Sequence, residues 1–154
     1  MSSSERAVLP PGEPSGFFYA QEVFARAIRH HRAGETDAAK HLYAELIERD
    51  IASPDAYNNF GILLSLEHRL PEAIAHVRTA VALDPTSPDF HMNLANMLGE
   101  HAAFNEAFDE YDRALSLAPN RPEITISASS AIVSGNMNAQ SNVSTAHSLS
   151  TPAG

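Results

Sequence analysis

Between residues 17 and 121 the apolar positions recur at the spacing of a helix, in paired segments. Tyr57, Phe60, Gly61 and Leu64 fall at i, i+3, i+4 and i+7, which is one face of a helix. The partner segment starts near Pro71, a residue suited to a first helical turn because its missing N–H would have no intrahelical acceptor. Ala73, Ile74, Val77, Ala80 and Val81 form its stripe. Asp84-Pro85 ends it, since the residue before a proline is pushed out of the α region. The pattern predicts helices near 17–33, 36–49, 54–68, 71–83, 88–102 and 105–118.

These pairs are copies of one unit. Pro54, Pro88 and Pro122 stand 34 residues apart, and each is followed by an acid. Tyr57, Phe60, Gly61, Leu64, Ala73, Val77, Ala80 and Pro85 recur as His91, Leu94, Ala95, Leu98, Ala107, Tyr111, Ala114 and Pro119. A fixed period of this length marks a supersecondary unit that buries its apolar face by stacking on its neighbours. Gly61 and Ala73 are expected to meet where the two helices of a unit cross, as are Ala95 with Ala107 and Ala27 with Ala39. The first unit is more divergent: Gly34 fits its inter-helix turn, but Arg26 stands where Phe60 and Leu94 stand, and Ile51 replaces the terminal proline.

The residues at these offsets resemble the tetratricopeptide repeat, a helix-turn-helix unit. The resemblance implies an all-α solenoid of about three such units, near 20–53, 54–87 and 88–121, within an array at 17–121. Residues 1–16, with four serines and three prolines, read as a disordered lead. From Ile124 to Gly154 no residue is charged and Ser, Ala, Thr and Asn dominate. Residues 122–154 are therefore expected to be a mostly disordered tail, or a degenerate cap with Ile124, Ile126, Ile132 and Val133 in a poor helix. Without a cap, Phe108, Tyr111 and Leu115 form an open C-terminal face suited to weak self-association.

The resemblance further implies binding of a protein or an extended peptide, without catalysis, in a groove lined by the first helix of each unit. The groove residues it selects are Asp55, Asn58, Asn59 and Ile62 in the second unit, with Asp89, Met92, Asn93 and Asn96 in the third. Asn59 and Asn93 occupy the same offset and look like the asparagine ladder of O-linked N-acetylglucosamine transferases, where amides pair with a peptide backbone. The alternative use of such asparagines is a bond between neighbouring repeats. Two other readings of the whole remain: the substrate-recruiting N-terminal fragment of a glycosyltransferase similar to those enzymes, and a structural self-assembly module. The family's carboxylate clamp is disfavoured, because Phe24 stands where its first lysine is needed and Asp55 and Asp89 would repel a carboxylate.

Composition narrows the rest. There is no cysteine, so neither a disulfide nor a thiolate metal site can form. A net charge of −9 with a single lysine, Lys40, argues against nucleic acid. The eight histidines are scattered, and the adjacent His30 and His31 point about 100° apart on a helix, so no metal or other cofactor is expected. No phosphate-binding loop, His-Glu-x-x-His or nucleophile elbow occurs. With neither a signal peptide nor an apolar run of bilayer length, a cytoplasmic protein with no membrane partner is expected.

Overall fold

The computed structural model describes the backbone of residues 16–148 and the side chains of 16–135. Seven helices follow one another among the described residues: α1 (Gly16–Arg32), α2 (Thr36–Glu48), α3 (Pro54–Leu66), α4 (Leu70–Leu83), α5 (Pro88–Glu100), α6 (Phe104–Leu117) and α7 (Pro122–Ser148). They pack as the hairpins α1–α2, α3–α4 and α5–α6, stacked in chain order. The proline positions are explained by capping. Ser53 Oγ accepts from the N–H of Ala56 at 3.2 Å, and Ser87 Oγ from that of Phe90 at 3.4 Å, with Pro54 and Pro88 at the first helical position.

The turn inside each hairpin also repeats. Gly34, His68 and Ala102 are spaced by the repeat period and all have left-handed backbone, with φ of 76°, 61° and 61°. At each turn the next N–H reaches back to a carbonyl of the preceding helix: Glu35 to His30 at 2.9 Å, Arg69 to Leu64 at 3.0 Å, Ala103 to Leu98 at 2.8 Å. The left-handed residue is why α3 and α5 stop two residues before the ends expected at 68 and 102.

Two clusters form the core. Val23, Ala27, Ala39, Leu42, Tyr43, Leu46, Ala56 and Leu63 fill the first. The second runs from Leu64 through Ala73, Val77, Leu94, Ala95, Ala107 and Tyr111 to Ile124. α3 is the seam, because Leu63 and Leu64 point into different clusters. Its crossing with α4 is close: a Cβ on Gly61 would lie 2.5 Å from Val77 Cγ2 and 3.0 Å from the Ala73 carbonyl oxygen.

The C-terminal part, expected to be a mostly disordered tail or a degenerate cap, is helical in its described residues. Pro122–Ser148 is one helix, and the last residues, 149–154, like 1–15 of the lead, lie outside the described residues. Ile124 is fully buried, and Ala128 and Ala131 pack beside it. Gly135 comes against the Phe104 ring, where an added Cβ would sit 3.2 Å from Cγ. Residues 124, 128, 131 and 135 follow the helical period, but as Ile, Ala, Ala and Gly they make a stripe too weakly apolar to stand out in sequence. α7 packs on α6 and touches α5 just as α5 packs on α4 and touches α3, so it is the first helix of a fourth unit. On the face of Phe108, Tyr111 and Leu115, Tyr111 is accordingly only 3 % exposed and the other two are partly buried against the core.

Candidate functional site

The first helices α3 and α5 touch one another, as do α5 and α7, whereas among the described residues α1 with α3, and the second helices α2, α4 and α6, do so at most marginally. From α3 onward the stack therefore bends toward its first helices, and these line the inner surface. All eight residues selected from the sequence lie on α3 and α5. Asp55 and Asp89 are exposed, Asn59, Ile62, Met92, Asn93 and Asn96 are half-buried, and Asn58 is buried. Ile62 and Met92 lean on the core.

The asparagines turn toward each other. Asn93 Nδ2 donates to Asn58 Oδ1 at 3.0 Å, Asn58 Nδ2 to Asn59 Oδ1 at 3.4 Å, and Asn59 Nδ2 to the Tyr43 hydroxyl at 3.4 Å. His31 Nδ1 lies 3.4 Å from the same hydroxyl. A chain of hydrogen bonds thus crosses three units, from α5 through α3 to α2. A buried amide left unpaired costs on the order of 1–3 kcal/mol, and a neighbouring amide one repeat away satisfies it. In the third unit the Tyr111 hydroxyl donates to Asn96 Oδ1 at 2.6 Å. Burial raises the pKa of both phenols, with the Asn59 amide opposing and the Asp55 carboxylate adding at Tyr43, and the Glu100 carboxylate adding at Tyr111.

The acids differ in their engagement. Asp89 is held by Arg121 at 2.6 Å, from the turn before α7. Asp55 and Glu100 have no ion-pair partner among the described residues. Beyond Asn96 the surface deepens into an open cleft of about 370 Å³ bounded by α5, α6 and α7. Glu100, which the sequence places with Asp55 and Asp89 as a source of negative potential at the groove, is among its walls, as are Phe104, Tyr111 and Ser134, which the sequence did not mark as site residues. The signal was available: with Pro122 opening a fourth unit, Ser127, Ser130 and Ser134 occupy the offsets of Asn93, Asn96 and Glu100.

His91 stands at the offset of Tyr57 and is 2 % exposed, with Nδ1 2.6 Å from a Glu110 carboxylate oxygen and Nε2 2.9 Å from the Pro85 carbonyl. It packs and ties α5 to α6. No three His, Cys, Asp or Glu side chains converge as metal ligands among the described residues, and none of the described helices is long and apolar enough to cross a membrane.

A family model for the tetratricopeptide repeat matches residues 24–88 and again 59–122. The chain belongs to the tetratricopeptide repeat family. No curated protein matches it significantly. Solved structures of similar fold include a mutant O-GlcNAc transferase of Thermobaculum terrenum, with a TM-score of 0.72 and 21% identity over 78% of this chain. This chain covers only 23% of that transferase. The second tetratricopeptide domain of human RPAP3, in complex with an HSP70 peptide, gives 0.70 and 18% identity, covering 75% of this chain and 97% of its own. The Yersinia enterocolitica secretion chaperone SycD, in complex with a peptide of the translocator YopD, gives 0.65 and 16% over 81% of this chain and 95% of its own. At these identities the likeness establishes the tetratricopeptide fold alone.

Proposed function

We propose that this tetratricopeptide array is a non-catalytic scaffold that binds a protein or an extended peptide on the inner surface of α1, α3, α5 and α7. Residues 17–121 form the array in this reading, and α7 closes its end. The observation that carries it is an inner layer of α3, α5 and α7 presenting half-buried apolar and amide side chains, Ile62, Met92, Asn59, Asn93 and Asn96, beside the carboxylate of Asp55, which has no ion-pair partner among the described residues. Such a layer offers backbone-reading groups and shallow apolar contacts in one line. Peptide complexes of similarly folded domains, the RPAP3 and SycD structures, support the mode of binding. Asp55 disfavours an acidic chain end, so the expected partner segment is neutral or basic.

Selection of random linear peptides on the immobilised chain, followed by amide chemical-shift mapping, tests this. Expected are extended peptides of micromolar affinity, roughly −8 kcal/mol, that shift Asn59, Ile62, Met92, Asn93 and Asn96. Peptides that map to α2, α4 and α6, or no selectable peptide, would count against it. The likeness to the Thermobaculum terrenum transferase favours a second reading, in which the chain recruits substrates for a glycosyltransferase domain outside it. Sugar transfer to array-bound peptides only when such a domain is joined to the chain would support that reading.

A further inference from the structure

We infer that the cleft between α5, α6 and α7 is a subsite for a cationic side chain, arginine or lysine, of the bound segment; this rests on the peptide-binding reading above. The argument begins with where the protons are. The Tyr111 hydroxyl gives its proton to Asn96 Oδ1 at 2.6 Å, and the Ser134 hydroxyl gives its own to the Ser130 carbonyl at 3.1 Å. Both oxygens, on residues that line the cleft, therefore keep only acceptor capacity, while Asn96 Nδ2 and the Ser127 and Ser130 hydroxyls of the same lining can also donate. Glu100 adds a carboxylate at the same rim, with no ion pair among the described residues. Its proximity to Tyr111 is registered in the phenol, whose pKa is raised first by burial and then by this carboxylate.

The one charged group of this lining is the Glu100 carboxylate, with no Lys, Arg or His among the lining residues, so the cleft suits a ligand that brings positive charge together with donors. Among side chains only lysine and arginine answer that description fully. The Phe104 ring, packed against Gly135, also lines the cleft and supplies an aromatic surface on which an aliphatic stem or a guanidinium plane can rest. A cleft of about 370 Å³ is of the size that receives such a group. Asp89, the other acid of α5, offers no competing site because Arg121 already neutralises it.

The test is a parallel selection of random linear peptides on the wild-type chain and on Glu100→Gln, with equal melting midpoints as the check that the variant folds. Expected is an arginine or lysine enriched at one peptide position on the wild type and not on the variant. Replacing that residue by citrulline or norleucine in the selected peptide should weaken binding by about three- to tenfold on the wild type, and far less on Glu100→Gln. Amide shifts at Glu100, Ser130 and Ser134 should disappear with the same replacement. Peptides that bind the inner surface with no basic position, or with the same basic position on both chains, would overturn the subsite and leave the scaffold reading standing. Failure of both chains to select any peptide would overturn both.

Discussion

Asn93 Nδ2 lies 3.0 Å from Asn58 Oδ1, a hydrogen bond between side chains of successive repeats. Asn58 is only 6 % exposed, so its amide has little water to fall back on. Replacing Asn93 by alanine should destabilise the stack by about 1–2 kcal/mol. The double variant Asn58→Ala/Asn93→Ala should cost less than the sum of the single ones, with a coupling near ~1 kcal/mol in denaturant titrations. Strict additivity would show that the two amides act independently.

Gly61→Ala sets two effects against each other. Alanine gains about 1 kcal/mol of helix propensity over glycine. The new Cβ would meet Val77 Cγ2 at 2.5 Å and the Ala73 carbonyl oxygen at 3.0 Å, and the second is backbone that cannot rotate away. Overpacking of this kind costs on the order of 1–3 kcal/mol, so a net loss is expected. Thermal melts of Gly61→Ala and of Gly61→Ala/Val77→Ala check this, with the second only partly restored.

Left-handed backbone at Ala102 strains an L-residue, while Gly34 bears the same geometry freely. Ala102→Gly should stabilise the chain by about 0.5–1 kcal/mol, and Gly34→Ala should cost about 1 kcal/mol. Nothing lies within 4 Å of a Cβ on Gly34, so that loss would report backbone strain alone. Melting midpoints moving in the same direction would contradict the account.

His76 makes stability depend on mild acid. Its ring lies against Phe60 at 4.8 Å and Tyr57 at 6.2 Å, and burial pushes its pKa below the usual 6.5, with Glu72 opposing and Arg69 assisting. The folded chain therefore takes up this proton less readily than the unfolded chain. The stability is fully present above about pH 6.5 and is lost progressively as pH falls toward the depressed folded value. In His76→Phe the difference in unfolding free energy between pH 7.5 and pH 5.5 should shrink. An unchanged difference would remove His76 as the cause.

Ile124 anchors the closing helix. Ile124→Ala should destabilise the C-terminal end by about 2–4 kcal/mol through the cavity it leaves. Amide exchange should rise first in α6 and α7 and leave α1 and α2 protected, as expected of a stack in which each unit supports its neighbour. Uniform acceleration along the chain would mean that the stack unfolds as one unit.

The hairpins, their order and their close crossings were legible in the residues themselves. Helical period places Tyr57, Phe60, Gly61 and Leu64 on one face, and a 34-residue repeat can bury that face only by stacking. Both are local or periodic properties, and any chain with this pattern meets the same constraints. What tertiary structure alone decided lies between units. Whether Asn58, Asn59 and Asn93 point at a ligand or at one another depends on distances across repeats that no spacing encodes, and the stack brings Asn58 and Asn93 within bonding distance. The fate of residues 122–148 was settled in the same way. Their Ile-Ala-Ala-Gly stripe is too weak to specify a helix by itself, and it becomes sufficient because Tyr111, Phe108 and Phe104 already present a surface that only a close-packed helix can cover.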